Sequence, residues 1–260
     1  MSAIETRVIN LARRADRLDA IGKKLDDLGI AWHRQEAVDA REYSAETLQK
    51  WVPGTSRAYP MTHVERACAR SHILAWRAFL NGTGNALCVL EDDVDFGPDL
   101  AALLANDEWL TPEHGLIKLD ANSTRMRKSL VSRSNLDNPL EEHELYRLFS
   151  RRLGGGGYVA HRETIMRLAN AYQRPSAPID HCLFNPPYSS HFETPGVHII
   201  EPTLVFHDHT GSDMEAARQD NLREGPTALV KFYRELVGAK AAFGRIAAII
   251  GKGARFKTFE

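Results

Sequence analysis

Leu18, Ile21, Leu25 and Leu28 are spaced three, four and three residues apart, which sets them on one face of a helix. A short apolar run over residues 7–11 comes before them and reads as a strand, and Gly29 ends the helix. Residues 30–38 read as a second strand. Val64, Ala67, Cys68, Ser71, Leu74, Ala75 and Phe79 then mark a second amphipathic helix over residues 64–80. After the Asn81-Gly82-Thr83-Gly84-Asn85 turn comes Ala86-Leu87-Cys88-Val89-Leu90, an unbroken apolar segment of the kind found inside a parallel sheet. This βαβαβ order predicts a right-handed, doubly wound α/β sheet that collects ligands at the carboxyl ends of its strands.

Beyond residue 100 the pattern loosens. Residues 116–119 read as a strand ending at Asp120, and the polar stretch 122–144 reads as a loop. Residues 146–149 and 157–160 read as strands around the glycine run 154–157, with a helix over 162–172. From Thr227 onward Lys231, Arg234, Lys240, Arg245, Lys252, Arg255 and Lys257 face only Glu235 and Glu260. The chain thus divides into one domain over 1–225 and a basic helical tail over 226–260. Phe243, Ile246, Ile249 and Ile250 can line one side of that tail while Arg245, Lys252, Arg255 and Lys257 meet anionic head groups. A packed terminal helix with a solvated basic face explains the same residues.

Composition narrows the function classes. With 33 basic and 34 acidic residues the net charge is −1, so no bulk attraction to nucleic acid is expected. The 260 residues, 43% hydrophobic, suffice for a sizeable core. Cys68, Cys88 and Cys182 form no Cys-x-x-Cys pair, which argues against a disulfide framework or zinc knuckle. No apolar run approaches the roughly 20 residues of a bilayer span, and the first residues lack a signal-peptide pattern. The expected location is the cytoplasm, with the tail a candidate to lie on the inner face of the membrane.

The sharpest chemical feature is Glu91-Asp92-Asp93-Val94-Asp95, directly after the buried strand. Carboxylates this close repel one another unless a cation or a set of donors neutralises them, and hard oxygen ligands suit Mn2+ or Mg2+. The alternative is an acidic loop capping a helix near Pro98. Asn10-Leu11-Ala12-Arg13-Arg14-Ala15-Asp16-Arg17 forms the first strand-to-helix turn, where arginines can clamp a diphosphate. Neither the Gly-rich dinucleotide pattern nor the Walker pattern is present.

Asp180, beside His181 in a proline-rich turn, is a candidate general base, or else the N-cap of a helix beginning at His181. His72 either touches a ligand or is a structural histidine. Gly157 and Tyr158 end a four-glycine stretch that lets backbone approach a ligand closely, with Tyr158 either a stacking face or a core residue. His207-Asp208-His209 puts two imidazoles on one side of a strand, so that His207 could complete a metal shell. The bland reading is surface histidines.

In order along the chain, Val8-Ile9-Asn10-Leu11 with the arginines to Arg17, Glu36-Ala37-Val38-Asp39, Cys68-Ala69-Arg70-Ser71-His72, Val89-Leu90-Glu91-Asp92-Asp93-Val94, Gly157-Tyr158 and Ile179-Asp180 resemble glycosyltransferase family 25. The resemblance spans roughly residues 7–215. It implies a GT-A-like, mixed and mostly parallel sheet flanked by helices. It also implies metal-assisted, inverting transfer of a sugar, commonly galactose, from a UDP-sugar to a hydroxyl of a glycan or lipid-linked glycan.

On this resemblance Glu91, Asp93, Asp95 and His207 are the metal set, and Asp93 belongs to both the Glu-x-Asp and the Asp-x-Asp register. Asn10, Arg13, Arg14, Arg17, Asp39, His72 and Asp92 line the nucleotide-sugar site. Asp180 and Asp93 carry catalysis, and Gly157, Tyr158 and His181 meet the acceptor. A sugar nucleotidyltransferase would need a Gly-rich phosphate loop that this chain lacks. A catalytically silent glycan-binding or scaffold protein on the same fold remains the other alternative.

Overall fold

The computed structural model describes residues 3–121, 128–207 and 227–259. Their order is β1 (Glu5–Asn10), α1 (Ala15–Asp27), β2 (Trp32–Glu36), α2 (Ala45–Trp51), α3 (His63–Leu80), β3 (Ala86–Glu91), β4 (Val94–Phe96) and α4 (Asp99–Leu104). There follow β5 (Leu116–Lys118), β6 (Asp120–Ala121), β7 (Lys128–Arg133), β8 (Glu144–Leu148), β9 (Gly157–His161), α5 (Arg162–Ala171) and α6 (Ile179–Phe184). The chain closes with β10 (Val197–Glu201), β11 (Val205–His207), α7 (Ala228–Lys252) and β12 (Arg255–Thr258).

Among the described residues nine strands form one sheet in the order β12-β7-β8-β10-β5-β9-β3-β1-β2. The pairings make β1, β2, β3, β5, β7 and β10 run one way and β8, β9 and β12 the other. Six of the nine strands thus share one direction in a mixed sheet, as expected, although five of the eight neighbouring pairs are antiparallel, and helices cover both faces. Strand parity sorts the core. Leu87 and Val89 of β3 join Trp76 and Phe79 of α3 and Leu168 of α5 on one face, while Cys88 and Leu90 join Ile21 and Leu25 of α1 and Leu103 of α4 on the other. A second sheet, β4-β11-β6, stands beyond the carboxyl ends of β3 and β5.

Two expectations need correction. Part of the stretch read as a loop is strand β7, whose Leu130 and Val131 are buried against β8 and β12; residues 122–127 lie outside the described ones. The tail is helical over Ala228–Lys252, but Arg255–Thr258 then returns to the main sheet as an edge strand on β7. Lys257, assigned above to head groups, instead donates to Tyr146 Oη at 2.7 Å and lies 3.9 Å from the centre of that ring. Among the described residues no helix is long and apolar enough to cross a membrane.

Candidate functional site

The βαβ turns deliver their polar residues to one edge, as a doubly wound sheet requires. β1 ends at Asn10, whose Nδ2 donates to Asp92 Oδ2 at 2.7 Å and to the Arg14 carbonyl at 2.9 Å. Asn10 Oδ1 accepts from Arg34 Nε at 3.1 Å. Arg17, on the first turn of α1, donates to Asp92 Oδ1 at 3.2 Å and reaches Asp93 Oδ2 at 3.6 Å. Arg13 pairs with Asp39 at 2.6 Å, tying the turn after β1 to the loop after β2. That loop is also held by α3, because Ser71 Oγ accepts from the Val38 N–H at 2.9 Å. A cavity of about 250 Å³ opens beside this group, lined among others by Arg14, Arg17, Lys24, Asp92, Asp93 and Val94.

Glu91 continues the parity of Leu87 and Val89 and so faces α3. There His72 Nε2 lies 3.2 Å from Glu91 Oε1 while its Nδ1 pairs with Tyr158 Oη at 2.9 Å, and Tyr158 Oη also accepts from Trp76 Nε1 at 2.8 Å. Cys68 and His72, one helical turn apart, both approach Glu91. Among the described residues these three form the one group of His, Cys, Asp or Glu whose ligand atoms all lie within 4.8 Å of one another. Burial works against the charge on Glu91, yet the His72 hydrogen bond and charge hold its carboxyl below the ordinary value.

Asp93 has the opposite balance. Burial and then the charge of Glu91 push its carboxyl up to about 6, against the pull of His207 and Arg17. Its Oδ1 is buried with no hydrogen-bond partner. An orphaned carboxylate oxygen beside a second carboxylate fits a divalent cation, which would satisfy the lone pairs and cancel the repulsion.

A third group was not singled out from the sequence. Lys118, fully buried on β5, donates to Asp120 Oδ1 at 2.5 Å and to the Gly154 carbonyl at 2.6 Å. Asp120 Oδ2 lies 3.2 Å from His207 Nε2 on β11. Although burial opposes ionisation, Lys118 and His207 hold the Asp120 carboxyl well below the usual carboxylate range. The Asp120 hydrogen bond in turn raises His207, with Glu91 and Asp93 adding to it. The signal for this group was a lysine inside an apolar strand with a carboxylate two residues on, the spacing that shares a sheet face.

The glycine run packs against all of this. Gly154 has φ +109°, and a Cβ there would meet Asp120 Oδ2 at 2.9 Å. A Cβ on Gly156 would meet His207 Cε1 at 2.7 Å and Val94 Cγ1 at 3.0 Å. The close approach foreseen for a ligand is thus made to the protein's own side chains.

The structure brings together Asn10, Arg14, Arg17, Glu91, Asp92, Asp93 and His207 and joins Arg13 to Asp39. It leaves out Asp95, which pairs with Lys24 at 2.8 Å because alternation along β4 turns Val94 and Phe96 inward and Asp95 outward. Tyr158 offers no stacking face. It is fully buried, since its position on β9 points at α3, and its hydroxyl positions His72. His72 is likewise fully buried and orients Glu91 from behind. Gly157 is covered by Val205, and His181 lies under the Tyr59 ring at 3.9 Å.

Asp180 is not an N-cap. α6 starts two residues earlier than foreseen, at Ile179 behind Pro178, and Asp180 sits in its first turn with Oδ1 accepting the His181 N–H at 2.9 Å. Its charge reaches Lys118, which links α6 to the Asp120 group. Asp208 and His209 lie outside the described residues.

Comparison with known proteins points the same way as the acidic edge. The model of glycosyltransferase family 25, described as LPS biosynthesis protein, matches residues 3–183. The lacto-N-neotetraose biosynthesis glycosyltransferase LgtE of Neisseria meningitidis serogroup B is 26% identical over 262 residues, covering 93% of this chain and 91% of that protein. The lipooligosaccharide biosynthesis protein lic2B of Haemophilus influenzae is 27% identical over 224 residues, 83% of each. A solved glycosyltransferase involved in the glycosylation of the major capsid of PBCV-1 is a remote likeness, with a TM-score of 0.42 at 10% identity over 85% of this chain and 100% of that one.

Proposed function

Because this chain belongs to glycosyltransferase family 25 and is a glycosyltransferase, we propose that it moves a sugar, galactose in our reading, from a UDP-sugar to a hydroxyl of a growing lipopolysaccharide glycan, with inversion at the anomeric carbon. The acceptor class is supported by its relatives, a lacto-N-neotetraose biosynthesis glycosyltransferase and a lipooligosaccharide biosynthesis protein. The observation that carries the site assignment is Asp93, a buried carboxylate with an unpartnered oxygen, pushed up by burial and by Glu91 at the end of a central strand. Stability alone gives no reason to keep such a group; strained carboxylates of this kind cluster at working sites.

Asp93, with Glu91 beside it, would hold a Mn2+ or Mg2+ ion, which when bound supplies positive charge to the departing diphosphate. The chain's own residues do the rest. Arg14, Arg17 and Lys24 line the adjoining cavity and bind phosphate oxygens, while Asn10 fixes Asp92 so that Arg17 stays aimed at the Asp92–Asp93 turn. Trp76, Tyr158 and His72 form a hydrogen-bonded chain that orients Glu91. Asp180, in the field of Lys118, is the carboxylate we assign to take the proton of the attacking hydroxyl as the glycosidic bond forms and the UDP–sugar bond breaks.

The test is Asp93→Asn, assayed by UDP release from a panel of UDP-sugars with lipooligosaccharide acceptors and a divalent cation. Turnover should fall at least about 100-fold, as for loss of one electrostatic stabiliser. The melting temperature should not fall, because a repelled carboxylate is being removed. Undiminished cation-dependent turnover in the variant would sink the assignment.

A further inference from the structure

α7 carries a pattern that catalysis does not use. Leu229, Phe232, Leu236, Ala239, Phe243, Ile246 and Ile250 follow one another at intervals of three and four residues in strict alternation. A repeat of 3.5 residues is the narrow seam of a two-stranded coil, not the broad stripe by which a helix covers a globular core. All seven positions are exposed, the six large side chains between 51% and 82%. The seam points away from the body, since the helix is attached by its other side. There Ala248 is buried beside Leu130, Arg234 Nε donates to the Ala58 carbonyl at 2.9 Å, and Lys252 lies over the Phe149 ring.

Charge identifies the occupant. With Leu229 at heptad position a, Lys231, Arg245 and Lys252 fall at c and Arg234 at f, away from the seam. A helix lying among lipid head groups keeps the cations of its polar face free to reach them, whereas Arg234 and Lys252 here are turned to the body, on the Ala58 carbonyl and the Phe149 ring. The border positions here hold Glu235 at g and Lys240 at e, with Ala228, Tyr233, Ala242, Ala247 and Ile249 elsewhere. In a parallel coil, position g of one helix faces position e five residues later on its neighbour, and Lys240 stands five residues after Glu235. An antiparallel pair sets e against e and g against g, so Glu235 and Lys240 would not meet.

We propose that α7 pairs in parallel with α7 of a second copy of this chain, burying the seam from Leu229 to Ile250 and setting Glu235 of each copy against Lys240 of the partner subunit. The pairing is independent of the donor, metal and acceptor assignments above.

Sedimentation equilibrium on the full chain across micromolar concentrations should give twice the chain mass, and Leu236→Glu with Phe243→Glu should give the single mass. Both substitutions fall at exposed positions, so the melting temperature measured below the dissociation range should be unchanged. Glu235→Lys and Lys240→Glu should each raise the dissociation constant about tenfold by turning attractive pairs into repulsive ones, and the two together should restore it. Ile250→Cys should cross-link to its own counterpart under mild oxidant. The proposal is overturned by a wild-type chain that stays single throughout, or by a seam variant that keeps the double mass. A charge-swapped pair weaker than either single change would also overturn it. So would a single chain that sediments with phosphatidylglycerol vesicles and is released by Phe243→Glu, which would give the seam to lipid.

Discussion

α3 and α7 are written in the same alphabet, apolar residues at three- and four-residue spacing, and they end in opposite surroundings. In α3 Ala67, Ala69, Ile73, Ala75, Trp76 and Phe79 are buried beneath α5 and the sheet. In α7 Ala248 is the one buried residue, and the large apolar side chains face outward. Periodicity therefore states which face of a helix seeks cover, while the cover itself depends on what the rest of the chain brings to it. α3 follows β2 and precedes β3, and a right-handed crossover lays it on the sheet. α7 reaches the body through a few side chains and one edge strand, which leaves its seam for another molecule.

The largest effect that tests this contrast is truncation of a core aromatic. Trp76→Ala empties a fully buried site and leaves Tyr158 Oη without its indole donor, so it should cost about 3–5 kcal/mol. Phe243→Ala, at 76% exposure, should stay within about 0.5 kcal/mol in the single chain. Urea unfolding below the dissociation range measures both, and equal losses would mean that α7 is packed on the body after all.

Acid separates the two regions next. Burial pulls His191 and His198 down to about 4, from an unfolded value of 6.5. A histidine depressed in the folded state leaves the unfolded chain holding more protons, so stability is complete above about pH 6.5 and drains away as pH falls toward 4. By pH 5 each should have withdrawn about 2 kcal/mol. His207 is raised and works in the other direction, so the measurement is the difference between wild type and His191→Gln. The deficit of the variant should shrink by that amount between pH 8 and pH 5, and a constant deficit would count against the buried neutral ring. α7 contains no histidine, so its pairing should hold over the same range.

The parts of the molecule that could be read in advance are those whose signal is local. β1, α1, α3 and β3 follow from spacing within a dozen residues, and Glu91 and Asp93 follow from the abrupt end of an apolar strand. The Lys118, Asp120 and His207 group is assembled from β5, β6 and β11; the Lys118–Asp120 spacing marks one segment, but the arrival of His207 depends on the second sheet and leaves no mark there. Tyr158 and Asp95 were assigned to the site for their chemistry, yet strand parity turns the first inward to α3 and the second outward to Lys24. β12 was hidden because its arginine and lysine read as surface charge, which is what an edge strand carries to discourage further pairing.

The smallest test concerns helix starts, where the two elements again look alike and differ in context. Thr62 caps α3 reciprocally: its Oγ1 accepts the Glu65 N–H at 3.2 Å while Glu65 Oε2 accepts the Thr62 N–H at 2.9 Å. Thr227 caps α7 one way only, accepting from the Val230 N–H at 3.3 Å, because valine offers no acceptor in return. The start of α3 cannot open without uncovering the buried Ala67 and Ala69, so the loss in Thr62→Ala should appear as about 1 kcal/mol of global stability. The first turn of α7 buries little and can open alone, so Thr227→Ala should leave global unfolding within about 0.3 kcal/mol and speed amide exchange only over the first turn. Hydrogen exchange at single-residue resolution distinguishes the two, and slowed or unchanged exchange at the start of α7 in that variant would mean that its first turn is held by contacts beyond the cap.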